Sequence, residues 1–179
     1  RVLETIAAFH HSHHRKAGMP ASALKGIPDP VLKAMESDRR IIREGKIVRL
    51  PDFQSSYTPA EETAFQQLVN RLKQEDRTPT LLTALERELA DPELLKDFID
   101  RGVAEGLLIR ISTDVYMHAA CWQSFLEEFR SFAAEAGQFE IQDIKGRFPL
   151  SRKYLIPIME YLDGAGITTK SGNTRKLIQ

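Results

Sequence analysis

The side chains of this sequence best suited to chemistry are cations grouped towards its end: Arg147, Arg152, Lys153, Lys170, Arg175 and Lys176, accompanied by Ser151 and Asn173. Arg152 and Lys153 fall in the predicted first turn of a helix, where free backbone N–H groups and the helix dipole already favour an anion. Cationic side chains at that place suit a phosphate. Ser151 is the expected N-cap, its hydroxyl taking one of the free amides. Asn173, at a predicted turn, can hydrogen-bond an exposed base, and Tyr154 can either stack on a base or belong to the core. Any one of these cations alone reads as an ordinary solvated charge. Their grouping, with only Glu160 and Asp163 opposing them nearby, points to a polyanion.

Other chemistries lack their residues. No G-x-x-x-x-G-K-[ST] is present, and the stretch Ser171-Gly172-Asn173-Thr174-Arg175-Lys176 has one glycine where a phosphate loop needs two. Ser, His and Asp are scattered over polar segments, and no carboxylate pair sits in an apolar setting that would shift its pKa, so the segment reads as a binder without a catalytic site. His10, His11, His13 and His14 could share a metal ion one turn apart on a helix. Without Cys, Asp or Glu at ligand spacing beside them, they are expected instead to be a solvated helix end meeting the last carbonyls. No metal or cofactor is expected in this segment.

The elements that must position these cations follow from periodicity. Leu155, Ile158, Met159, Leu162 and Ala165 recur at helical spacing, and Gly166 stops the helix. Ile167 to Lys170 and Thr174 to Ile178 are β-compatible runs around Ser171-Gly172-Asn173, which predicts a hairpin. Helix, glycine, hairpin is the closing half of a winged helix. Pro157 lies too deep for a first-turn proline, frees the Lys153 carbonyl and is expected to kink or loosen the helix start.

The same grammar appears twice more. Ile41 to Arg43 and Ile47 to Leu50 flank Glu44-Gly45, and Leu107 to Ile111 and Val115 to Met117 flank Ser112-Thr113-Asp114. The three turns, at Gly45, Thr113 and Gly172, lie 68 and 59 residues apart, a spacing that marks one supersecondary unit used three times. The fold class expected is therefore α+β, mostly α, as tandem winged helices over 1–57, 58–118 and 119–179. Helices are predicted from the start through Phe9, at Asp29 to Asp38, from Thr58-Pro59, at Leu81 to Leu89, Glu93 to Val103 and Ala119 to Ala136. The first unit is short enough that residues could be absent between Gly26 and Arg40.

Charge is balanced overall, 25 Lys+Arg against 25 Asp+Glu, yet uneven along the chain. Residues 1–57 carry +4, 58–137 carry −7 and 138–179 carry +3. Phosphate attraction needs local clustering, so nucleic-acid contact belongs at an end, and Arg77 and Arg87 in the acidic middle read as dispensable for it. The lone Cys121, beside Trp122, is expected buried and reduced, in keeping with the cytoplasm. No run approaches a membrane span. Beginning at Arg1 without a signal sequence, the chain reads as an excerpt of a longer soluble protein, monomeric and away from membranes.

The run Phe148-Pro149-Leu150-Ser151-Arg152-Lys153-Tyr154-Leu155-Ile156-Pro157-Ile158-Met159-Glu160-Tyr161-Leu162-Asp163, followed by Gly166-Ile167-Thr168 and Gly172-Asn173, resembles the last winged helix of the selenocysteine-specific elongation factor family, SelB. Ala8-Phe9-His10, Gly18-Met19-Pro20, Val48-Arg49-Leu50-Pro51-Asp52 before Phe53, and Val115-Tyr116-Met117-His118 extend the resemblance, more weakly, over nearly the whole chain. It implies a bacterial translation factor whose N-terminal part, not in this sequence, is a GTPase with GTP and Mg that carries selenocysteyl-tRNA to the ribosome. Its C-terminal winged helices would hold the selenocysteine insertion hairpin of the mRNA (SECIS), the last one clasping the loop. The resemblance places those RNA contacts on Ser151, Arg152, Lys153 and the region from Lys170 to Arg175. Thr168-Thr169-Lys170 stands where a more arginine-rich stretch is common, which leaves the number of phosphate contacts from the wing open. Two other readings are a winged-helix DNA-binding regulator, disfavoured by the few polar side chains beyond the helix's first turn, and a protein-interaction scaffold, which the acidic middle favours locally.

Overall fold

The computed structural model describes residues 1–178. Its contacts divide the chain into two compact units, one of residues 1–63 and one beginning at Ala64. The first unit holds α1 (Val2–Ser12), β1 (Met19–Pro20), a 3₁₀ turn (Ala21–Ala23), α2 (Asp29–Ser37), β2 (Ile42–Glu44) and β3 (Ile47–Arg49). The strands form an antiparallel sheet in the order β1-β3-β2 around the Gly45 turn, where φ is +60°. Ile6, Met19, Leu24, Leu32, Ile41 and Val48 pack as its core. Between α1 and α2 stand the two-residue β1 and a single 3₁₀ turn, and this is how the unit fits the short interval before Arg40.

The histidines depart from expectation. His10 is buried, its ring lying on Phe53 with centroids 3.6 Å apart and an interplanar angle of 10°, and neither ring nitrogen has a partner. Burial first, then the Arg49 charge, lowers its pKa. His13 stacks on Phe9 with its Nδ1 3.3 Å from the Phe9 carbonyl, which is the helix-end role foreseen. His14 instead reaches Glu61, at 3.0 Å. Glu61 lies in the first turn of α3 (Pro59–Gln74), where it and Thr58 cap each other through backbone amides at 2.8 and 3.2 Å. Burial opposes its ionisation, but hydrogen bonds from His14, the Thr58 amide, Arg15 and the Thr58 hydroxyl hold the Glu61 carboxyl at about 2. Among the described residues no group of three or more His, Cys, Asp or Glu could hold a metal ion.

The second unit repeats the arrangement twice. After α3 come β4 (Thr80–Leu81), α4 (Leu82–Glu88), α5 (Pro92–Ala104), β5 (Leu108–Arg110) and β6 (Val115–His118), with strand order β4-β6-β5. Phe65 and Phe98 are fully buried and meet edge to face at 5.5 Å. β6 then runs without a linker into α6 (Ala119–Ala136), followed by α7 (Ile141–Arg147), α8 (Arg152–Gly164), β7 (Thr168–Ser171) and β8 (Thr174–Leu177). β7 and β8 pair antiparallel around Gly172, and Phe139 bridges Arg175 where a third strand would lie.

An aromatic core fills the last repeat: Phe125, Phe129, Phe139 and Phe148 are all but inaccessible, and Leu155, Ile158, Met159 and Leu162 of α8 face them. Ala165 lies past the helix end and is exposed. Ile111, Val115 and Met117 of the middle hairpin belong to the same cluster, so the middle hairpin packs into the core of the last repeat. Cys121 is buried with its thiol 3.4 Å from the Lys73 carbonyl. The tandem winged-helix, α+β architecture stands, with two-residue strands β1 and β4 added to what periodicity predicts. No helix among the described residues is long and apolar enough to cross a membrane.

Candidate nucleic-acid interface

Two elements of the last winged helix carry the predicted cations: the first turn of α8 and the β7–β8 wing. α8 opens at Arg152 with Ser151 as N-cap, but the Ser151 hydroxyl makes no capping bond. The amides of Tyr154 and Leu155 both turn back to the Ser151 carbonyl, at 3.0 and 3.1 Å. No acceptor within the described residues takes the amides of Arg152 and Lys153, and no acidic residue stands in this turn. The expectation of a serine-capped helix is thus corrected to an open one. A hydroxyl, two amides and two exposed cationic side chains are left facing solvent at the positive end of the helix dipole.

Lys153 is not loose. Its Nζ lies 4.7 Å from the centroid of the Tyr154 ring, a cation–π contact that holds the ammonium over a half-buried aromatic. α8 runs unbroken from Arg152 to Gly164 through Pro157, so the proline does not end the helix. It withholds the amide that would bond the Lys153 carbonyl of the same turn.

In the wing, Lys170, Asn173 and Lys176 are exposed and Asn173 sits at the Gly172 turn. Arg175 is different, and its assignment to the open face is corrected. It is 6% exposed, its backbone is paired with Phe139, and its Nε donates to the Asp163 carboxylate at 2.9 and 3.3 Å. The same carboxylate accepts the Thr168 hydroxyl at 2.6 Å. Asp163, at the end of α8, therefore ties both wing strands to the helix that carries Arg152 and Lys153. Its charge is taken up inside the protein, which leaves Glu160 as the exposed acid of α8. Arg147 is exposed, with its Nε 3.4 Å from Glu128 on α6.

Sequence reading missed the Asp163–Thr168–Arg175 lock. A trace of it was available: an Asp near the helix end and an Arg alternating with polar Thr174 and Lys176, hence on the inner face of the strand.

Residues 130–177 match the family model described as Elongation factor SelB, winged helix. The selenocysteine-specific elongation factor of Escherichia coli K12 is 22% identical over 99% of this chain and 30% of its own length. That of Desulfomicrobium baculatum is 33% identical over 41% of this chain and 12% of its own. The chain thus spans under a third of the length of these relatives. Among solved structures, the bacterial selenocysteine-specific elongation factor EF-Sec superposes with a TM-score of 0.58 at 18% identity, over 99% of this chain and 28% of the other. The mRNA-binding domain of Escherichia coli SelB, solved with SECIS RNA, gives 0.58 at 24% identity over 68% of this chain and 100% of the other. At such identities structural likeness establishes the fold, and the family model bears out the resemblance read between Phe148 and Asn173: residues 130–177 are similar to the winged helix of elongation factor SelB.

Proposed function

We propose that this chain is the mRNA-binding part of a selenocysteine-specific translation elongation factor, and that its last winged helix holds the loop of a SECIS-type hairpin. The observation that carries the reading is the open, basic first turn of α8, with two unpaired amides, Arg152 and Lys153 beside an exposed wing. A hairpin loop offers the matching partner, phosphates turned sharply around bases that are free to be read. The GTPase chemistry, with its GTP and Mg, and delivery of selenocysteyl-tRNA to the ribosome belong in this proposal to the remaining length of the whole factor, acting in the cytoplasm as a monomer. The acidic middle keeps sequence-tolerant phosphate attraction to the two basic ends, so the arm is not drawn along its whole length to every RNA.

Binding of a stem-loop RNA, the same stem without its loop, and duplex DNA of equal length tests this. The intact loop should bind far more tightly than the other two, and equal affinity for all three would refute the reading. Arg152→Ala and Lys153→Ala should each weaken loop binding by about 1–3 kcal/mol, the loss expected for a charge-assisted contact, with a shallower salt dependence.

A further inference from the structure

A groove of about 280 Å³ runs from the first turn of α8 onto the middle repeat. Lys153 and Tyr154 form one wall, and Arg71, Thr83 and Arg87 of α3 and α4 form the other. All of these residues lie in the second unit, in which the middle hairpin packs into the core of the last repeat. Glu75 is the acid on its rim. Arg71 already holds Glu88 at 2.7 Å and Glu75 at 3.4 Å, so the local acids are spent, while its Nη1 is buried without an acceptor. Arg87 is exposed. Among the described residues, two cations that pair with no acid, one guanidinium donor without an acceptor, a threonine hydroxyl and an aromatic side chain thus line a hollow near the small end of ligand-site volumes. That volume is of the order of one base and far below what a duplex fills.

We propose that this groove takes a single-stranded segment of the RNA whose loop lies on α8, with backbone phosphates against Arg87 and Lys153 and a base in the hollow beside Tyr154. The inference rests on the reading of α8 as the loop-binding helix, and Lys153 joins the two surfaces. Cations that follow a backbone, with an aromatic on which any base can lie, are the chemistry of single-strand binding. Arg87, which the charge pattern alone makes dispensable, becomes the discriminating residue.

The test compares a blunt hairpin with the same hairpin carrying a single-stranded tail longer than its stem, in the parent chain and in Arg87→Ala and Arg87→Glu. The tail should tighten binding several-fold in the parent, and the tailed-to-blunt ratio should fall to near one in both variants. A ratio near one in the parent, a ratio that survives in Arg87→Glu, or an equal gain from a double-stranded tail would overturn the proposal. Loss of preference for loop over bare stem in the same proteins would show instead that the reading of α8 itself has failed.

Discussion

The helices α5 and α8 occupy the same place in successive repeats, each followed by a hairpin, yet their N-termini are opposites. α5 is sealed: the Asp91 carboxylate accepts the amides of Glu93 and Leu94, both at 3.0 Å, Pro92 opens the helix, and Glu93 adds a second negative charge. α8 has a serine that caps nothing and two cations where α5 has acids. The wings differ in the opposite sense. Arg110 in β5 pairs with Asp100 of α5 at 2.9 Å with both side chains nearly half exposed, whereas Arg175 pairs with Asp163 at 2.9 Å with the guanidinium buried. The middle repeat is finished at its helix start and loosely fastened at its wing. In the last repeat the helix start is left open and the wing is locked. Binding needs both, because free donors recognise a ligand only if the neighbouring contacts are held at a fixed distance from them.

The wing lock gives the largest expected effect. Asp163→Ala leaves a buried guanidinium without its counter-charge and should cost about 3–5 kcal/mol of unfolding free energy, against about 0–1 kcal/mol for Asp100→Ala at the exposed pair. Chemical denaturation followed by Trp122, the sole tryptophan and part of the second unit, measures both. Equal costs for the two substitutions would erase the contrast between the wings.

Exchanging the helix starts tests the other half. Ser151→Asp should give α8 the carboxylate cap that α5 has and stabilise the chain by about 1 kcal/mol, while placing a negative charge where the proposed reading seats a phosphate. Stability and RNA affinity should therefore move in opposite directions, tighter folding with weaker loop binding. A variant that gained both, or lost both, would mean that the open turn is not reserved for a ligand.

How far the sequence disclosed this arrangement depends on the range of each interaction. The helices and hairpins were legible because apolar spacing and turn residues are local, as Leu155, Ile158, Met159 and Leu162 illustrate by facing one core. Arg152 and Lys153 were legible for the same reason. Strands β1 and β4 were not, since two residues carry no period, and both exist only because β3 and β6 come to lie beside them. The true role of Arg175 depends on Asp163 and Phe139, and that of His10 on Phe53, all partners fixed by tertiary packing. Ser151 misled in a different way: a good capping residue at a helix start predicts a cap, and here the hydroxyl is left unused.

A third helix start makes the comparison titratable. α6 is capped by His118, whose Nδ1 accepts the Ala120 amide at 3.1 Å and must be unprotonated to do so. Burial, and then the charge of Lys73, lowers the His118 pKa below its usual 6.5. With the folded value depressed, the unfolded chain takes up a proton that the folded chain refuses. Stability is thus full above 6.5, declines below it and levels off once the pH has passed through the folded value. His10, buried beside Arg49, acts in the same direction in the first unit, so the reporter must be Trp122. The midpoint of its unfolding should fall between pH 7 and pH 5 in the parent, and His118→Asn, which keeps a capping side chain without a titrating one, should flatten that slope. The five histidines, at 10, 11, 13, 14 and 118, all lie outside α8 and its wing. Loop affinity should accordingly stay level over the range in which the cap of α6 titrates. A histidine-like step in RNA binding over that range, retained in His118→Asn, would mean that the contact extends beyond the open turn of α8 and its locked wing.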